Sequence, residues 1–271
     1  QSAIALENNL LLDNINRLFG GFVQAAVAAI EQRDPTTSGH SFRVADLTTG
    51  LAQALPQANI AKYRDVIFRE EEIRELRYAA LLHDFGKVGV REHVLVKAKK
   101  LPDKQYDIIR YRIRLAQERL RRQAGEQMLS IWRASADKVE LAAIEQRVNE
   151  EMARLETFLA AVEHANEPTL LDDGDFEHLK DIHAYPFEDD RGQAATLIDA
   201  AEFGSLSIRR GSLTLQERKE IESHVVHTAN FLRLIPWTPE LARIPAIAES
   251  HHEKLDGTGY PNGLLDTDIP V

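Results

Sequence analysis

The sequence predicts an all-α protein, a helical bundle carrying a long helical insertion. Apolar residues recur at three- and four-residue steps along most of the chain, and no segment alternates with the period of two that marks a half-buried strand. One seam, Leu141, Ile144, Val148, Met152, Leu155, Leu159 and Val162, runs as a heptad with Glu and Arg on its other faces. At 271 residues and 44% apolar content the chain can bury the core of one large domain or two small ones.

Taken in order, the first element is one long helix over Ala3 to Glu31, with Leu11, Ile15, Leu18, Phe22, Val23, Val27 and Ile30 at helical spacing and Asp34-Pro35 as its stop. Thr36-Thr37-Ser38 offers N-caps to a second helix reaching about Leu55, with His40 in its first turn. A third helix, about Glu70 to Leu82, delivers His83-Asp84 at its C-terminal end, where Phe85-Gly86-Lys87 turns the chain. From Pro102 to Arg210 the chain changes to long charged helical segments followed by an acidic stretch, and Gly125 is the expected break before the seam helix. The seam fits a helical hairpin packed on itself, with a dimeric coiled coil as the second reading.

Leu170 to Arg191 contains Asp172, Asp173, Asp175, Glu177, Asp181, Glu188, Asp189 and Asp190. It reads as a solvated loop, lacks the spacing of a calcium loop, and leaves His178 and His183 as bystanders. Thr214 to Leu234 and Pro239 to Ser250 read as two further helices, the second ending at His251-His252. The division that follows is a stalk helix over 1–33, a core assembled from 34–101 and 211–271, and a helical insertion with an acidic loop over 102–210.

Composition narrows the chemistry. The absence of cysteine excludes disulfides, thiolate zinc sites and cysteine nucleophiles, so any metal is held by nitrogen and oxygen; it also fits a reducing cytoplasm. A net charge of -10 argues against duplex nucleic acid, and no apolar run approaches the roughly 18 residues that span a bilayer. The opening Gln1-Ser2-Ala3 resembles neither a signal peptide nor a native start, so a soluble piece of something longer is expected.

His251-His252-Glu253-Lys254-Leu255-Asp256-Gly257-Thr258-Gly259-Tyr260-Pro261 puts adjacent imidazoles, carboxylates and a Gly-Tyr-Pro turn within one short stretch. With His40, His83, Asp84 and His224 it forms a set of donors suited to Fe, Mn or Zn, and such clustering is costly without a cation. Two divalent ions roughly 3.5–4 Å apart can orient a phosphodiester for attack by water. Asp84 is the candidate bridge between them and His83 its neighbouring ligand, while Lys87, one turn on, is placed to meet a phosphoryl oxygen.

His83-Asp84-Phe85-Gly86-Lys87-Val88-Gly89-Val90, followed by His251-His252-Glu253, Asp256-Gly257 and Gly259-Tyr260-Pro261, resembles the HD-GYP family, a helical branch of the HD phosphohydrolases. Asp34-Pro35, Thr37, Gly39-His40-Ser41 and Arg43-Val44 resemble its first ligand segment, and Leu213-Thr214, Glu217-Arg218, Ile221 and His224 the segment of its middle histidine. The resemblance covers about Leu11 to Leu101 and Gly211 to Val271. It implies an HD-domain-type bundle that hydrolyses cyclic-di-GMP with two divalent metals, commonly iron or manganese. Metal ligands are implied at His40, His83, Asp84, His224, His251 and His252, with Asp84 and Lys87 in catalysis. Lys87, Asp256, Gly257, Gly259, Tyr260 and Pro261 are implied at the substrate.

Departures from the family pattern shape the remaining expectations. Some members hold a third metal with a glutamate four residues before the first histidine; Thr36 stands there, which favours two metals. Members continue beyond the position of Val271 into a helix with one more aspartate ligand, so the core is expected to lack its C-terminal part. His227, one turn from His224, is a weak substitute. Ala3-Ile4-Ala5-Leu6-Glu7-Asn8-Asn9-Leu10-Leu11 resembles the closing helix of a GAF sensor domain, which implies an upstream sensor in the same chain, a cytoplasmic location and a homodimer. The competing expectation is a catalytically silent metal- or nucleotide-binding or docking module.

Overall fold

The computed structural model describes residues 2–33, 38–58, 60–63, 65–135 and 137–270. The helix stop at Asp34-Pro35, the caps at Thr36 and Thr37 and the Thr36 departure therefore lie outside the described residues. In chain order the helices are α1 (Ser2–Arg33), α2 (His40–Ala54), α3 (Glu70–Leu82), α4 (Glu92–Leu95), α5 (Asp103–Ala134), α6 (Lys138–Asn166), α7 (Asp173–Ala184), α8 (Ala200–Leu206), α9 (Leu215–Glu222), α10 (His224–Leu232) and α11 (Ile244–Glu249). Strands β1 (Pro186–Glu188) and β2 (Ala194–Thr196) complete the set. The all-α expectation holds for the fold as a whole. The chain divides into one compact unit of Gln1–Val96 with Gln216–Val271 and another of Lys97–Leu215.

The core of the first unit joins Val23 and Val27 of α1, Ala45 of α2, Ala79 and Leu82 of α3, Leu232 of α10 and Ile244 and Ala248 of α11. Phe19 meets Tyr78 edge-on at 5.0 Å, and Phe85 stacks on Phe231 at 3.9 Å. Glu75, 2% exposed, accepts from Arg243 N at 2.7 Å and Arg243 Nε at 2.9 Å, so its buried charge is paired as burial requires.

Three boundaries differ from expectation. α2 starts at His40 behind Gly39, whose φ of 66° is a left-handed conformation, without a side-chain cap; Gly39 N instead donates to Glu31 Oε2 of α1 at 2.9 Å. The helix expected over Thr214 to Leu234 is broken into α9 and α10 at Ser223, whose hydroxyl donates back to Glu220 O at 2.6 Å and competes with the helical ladder. The helix expected over Pro239 to Ser250 is a 3-10 turn, Pro239–Leu241, followed by α11, because Pro245 in the first turn of α11 has no N–H to continue an earlier helix.

In the second unit α5 runs through Gly125 without a break, since a helical glycine costs only about 1 kcal/mol. The break falls at Ser135, and Asp137 restarts the chain by accepting from Val139 N at 2.9 Å and Glu140 N at 3.3 Å. α5 and α6 form a hairpin that buries Ile109 and Ile113 with Leu155, Phe158 and Val162, so the seam packs within the chain. The acidic stretch is not a loop. Asp172 and Asp175 form a capping box for α7, their charges favour its N-terminal end, and Leu179 and Ile182 anchor its inner face. The expectation of no strand is corrected as well: β1 and β2 pair antiparallel with Phe187 opposite Ala195, around a turn in which Asp189 Oδ1 accepts from Arg191 N and Gln193 N.

Candidate metal centre

The first unit places every candidate histidine at a helix end. His83 is the C-cap of α3 with Asp84 next, His40 opens α2, His224 opens α10, and His251-His252 form the turn after α11. Three of these rings are oriented by the same local bond. The Nδ1 atoms of His83, His224 and His251 lie 2.6 Å from the carbonyls of Ala80, Ile221 and Ala248, each three residues earlier. A carbonyl only accepts, so Nδ1 of each ring donates to it and Nε2 is the atom left facing the cluster.

Two of those Nε2 atoms meet Asp84. His83 Nε2 is 3.2 Å from Oδ2 and His224 Nε2 is 3.3 Å from Oδ1, so both carboxylate oxygens are engaged by different rings. His224 Nε2 and His251 Nε2 face each other at 3.3 Å. Were both nitrogens bare they would repel at that separation, and a proton or a metal ion between them turns the contact into an attraction. The donor atoms of His40, His83 and Asp84 lie within 4.8 Å of one another, as do those of His224, His251 and His252. Two adjoining groups, one of nitrogen and oxygen donors and one of nitrogen alone, fit divalent cations.

Electrostatics fits the same purpose. Burial alone pushes Asp84 up, but hydrogen bonds with His224 and His83 and the charges of His83 and Lys87 outweigh it and hold the carboxyl well below the usual carboxylate range. Burial lowers His251 to about 3 against its bond to Ala248, with the neighbouring imidazoles pushing the same way, so the ring is neutral near pH 7. Burial also lowers His252. Lys87 Nζ lies 2.9 Å from Asp84 Oδ2.

The Gly-Tyr-Pro turn closes one side. Tyr260 stacks on His252 with centroids 4.6 Å apart, and burial, with Glu222 and Asp84 nearby, pushes its phenol up to about 12, so it stays protonated. Gly259 has no alternative, because a Cβ there lies 2.4 Å from Lys254 N and 2.5 Å from Glu253 Cα. Gly257 adopts φ 74°. Glu253 braces the turn by accepting from Asn262 N at 2.7 Å and Leu264 N at 2.8 Å. Asp256 spends one oxygen on Thr258, taking its N–H at 3.0 Å and its hydroxyl at 2.7 Å. The peptide bond before Pro261 is cis.

His40, His83, Asp84, Lys87, His224, His251, His252 and Tyr260 are thus brought together, and Asp256 works inside its own turn. His227 stands apart, against Gly89, with its Nε2 3.3 Å from Ser223 Oγ. In the second unit His178 is exposed, and His183 bonds Ile198 O at 2.9 Å and stacks on Phe203. Thr228, fully buried, carried no signal in the sequence. Its hydroxyl donates to His83 O at 3.0 Å and accepts from Gly86 N at 2.8 Å, tying the His-Asp turn to α10. Gly86 allows that approach, since a Cβ there would lie 1.9 Å from His224 O. A cavity of about 430 Å³ adjoins the cluster, with His40, His83, His251 and His252 on one wall and Val44, Leu76 and Ile247 on another.

Comparison with known proteins finds phosphodiesterases among the chain's relatives. The chain is 36% identical over 96 residues, 35% of its length, to a probable cyclic di-GMP phosphodiesterase of Vibrio cholerae. It is 35% identical over 82 residues, 29% of its length, to a 3'3'-cGAMP-specific phosphodiesterase of the same organism. It is 29% identical over 122 residues, 44% of its length, to the cyclic di-GMP phosphodiesterase response regulator RpfG of Xanthomonas campestris. The chain spans only 21%, 17% and 29% of the lengths of these relatives. No solved structure matches it significantly. A family model described as HD domain matches residues 37–202, and a second of the same description matches residues 190–271. With its His83-Asp84 and Gly259-Tyr260-Pro261 motifs, the chain belongs to the HD domain family and is of the HD-GYP type.

Proposed function

We propose that the chain is a metal-dependent phosphodiesterase that hydrolyses cyclic-di-GMP to linear pGpG and onward to GMP. The observation that carries this is the facing pair His224 Nε2 and His251 Nε2, 3.3 Å apart, with His224 Nε2 also 3.3 Å from Asp84 Oδ1 and both rings fixed through Nδ1. His40, His83, Asp84, His224, His251 and His252 would hold two divalent ions, iron or manganese. When bound, such ions supply Lewis-acid charge to a phosphoryl group and acidify water. The chain's own part is geometric and electrostatic. Asp84 spans the two donor groups as an anion, and the backbone carbonyls behind the histidines keep each Nε2 aimed inward. Lys87 turns from Asp84 towards a phosphate oxygen as charge builds there. Tyr260, held on His252, keeps its hydroxyl as a hydrogen-bond donor beside the substrate, with Gly257, Gly259 and Pro261 shaping the turn and Asp256 fixing it. Water adds to phosphorus, the bridging ester oxygen leaves with a proton, and the ring opens.

The names of the relatives support a cyclic dinucleotide as substrate. No helix among the described residues is long and apolar enough to cross a membrane. In this reading the chain works in the cytoplasm as the output part of a homodimer joined through α1 to a GAF-like sensor. The deciding experiment is anaerobic purification with iron or manganese, a metal count per chain and cyclic-di-GMP loss followed beside Asp84→Ala. Two metals and turnover abolished in the variant are expected. A metal-loaded protein without turnover would mark a silent binding module.

A further inference from the structure

Among its described residues the long helix α1 carries one buried apolar stripe, one exposed apolar stripe, and two further exposed leucines, Leu6 and Leu10, that lie off both. Val23, Ala26, Val27 and Ile30 are buried in the core of the first unit. A second stripe is left on the outside: Ile4 65%, Leu11 58%, Ile15 54%, Leu18 77% and Phe22 46% exposed, with Ala25 also exposed. Its spacing is a heptad. Ile4, Leu11, Leu18 and Ala25 repeat every seven residues as one series, and Ile15 and Phe22 fall four residues after Leu11 and Leu18 as the other.

We infer that this stripe is the seam of a parallel two-stranded coiled coil formed with a second copy of the chain, with Ile4, Leu11, Leu18 and Ala25 at d and Ile15 and Phe22 at a. The occupant follows from the pattern. A stripe that repeats every seven residues is complementary to itself under two-fold symmetry, and Ile at a between Leu residues at d is the arrangement that favours two parallel strands. No charged residue interrupts the stripe: Asp13 and Arg17 fall at f and c, away from it. Five large side chains at these exposures offer on the order of 1,000 Å² across two copies, the size at which an interface becomes specific. The inference deepens the homodimer reading above. Its readouts are mass and cross-linking, so it stands or falls apart from hydrolysis.

The 271-residue chain is expected to sediment at twice its mass of 30.6 kDa, and the double variant Leu11→Glu, Leu18→Glu at the single-chain mass with unchanged metal content. Because the chain has no cysteine, Leu18→Cys introduces a single thiol. A d position meets its own counterpart only in parallel pairing, so oxidation should link two Leu18→Cys chains and leave Asp13→Cys, at f, unlinked. A wild-type chain of single mass at its highest soluble concentration, a dimer that survives both glutamates, or equal linking at the two positions overturns the proposal.

Discussion

Thr228 on α10 donates its hydroxyl to the main-chain carbonyl of His83 at 3.0 Å while accepting from Gly86 N at 2.8 Å, so one buried side chain holds both ends of the His-Asp turn. Thr228→Val keeps the shape and removes both bonds, leaving a buried carbonyl and a buried N–H unpaired. Each such group costs about 1–3 kcal/mol. We expect a loss of roughly 2–4 kcal/mol by chemical denaturation, together with weaker metal binding, whereas Thr228→Ser should retain most of both. An unchanged unfolding midpoint in the valine variant would remove Thr228 from the support of the site.

How much of this was legible in the sequence depends on the range of the interaction. α3 could be bounded from its own residues, since Glu70 to Leu82 carries its acidic first turn and its apolar face within one segment. The candidate histidines were legible because adjacent pairs next to glycine turns are unusual. The rest depended on contacts between distant segments. Gly39 opens α2 because Glu31, eight residues earlier, takes its N–H, and Thr228 matters only because α10 passes behind Gly86. The acidic stretch misled for a different reason: its many carboxylates suggested solvent, yet Asp172 and Asp175 cap a helix whose Leu179 and Ile182 are buried. Periodicity of two apolar residues is too short a signal to outweigh that charge.

Lys100 gives a pH dependence of unusual sign. It is fully buried, and its Nζ has one carbonyl partner, Leu206 O at 3.3 Å. Burial, opposed by the charge of Asp175, lowers its pKa to about 8 from 10.5. The unfolded chain therefore binds a proton more tightly than the folded one. The favourable contribution is complete above about 10.5 and is lost as pH falls through 8. Lys100→Met, similar in length and uncharged, removes the burden of burying the ammonium. Its melting temperature should exceed that of the wild type at pH 7, with the gap narrowing as pH rises past 8 and closing above about 10.5. A gap independent of pH would show that packing, not ionisation, sets the difference.

Lys87 Nζ sits 2.9 Å from Asp84 Oδ2, and two roles make opposite predictions for its removal. If the ammonium only neutralises Asp84, Lys87→Met frees the carboxylate, tightens metal binding and leaves turnover intact. If it stabilises charge on the phosphate in the transition state, the same variant keeps its metals and loses about 10²-fold in kcat, the usual cost of removing one such donor. The second outcome is expected, because Asp84 already has His83 and His224 at 3.2 and 3.3 Å and remains far below the usual carboxylate range through those bonds first. Lys87→Arg separates charge from shape: it keeps the cation but replaces a compact, rotatable donor with a planar fork, so it should recover part of kcat and leave KM altered. Metal content measured beside kcat and KM in the three proteins distinguishes the roles, and full turnover in Lys87→Met with two metals bound would exclude Lys87 from the chemistry.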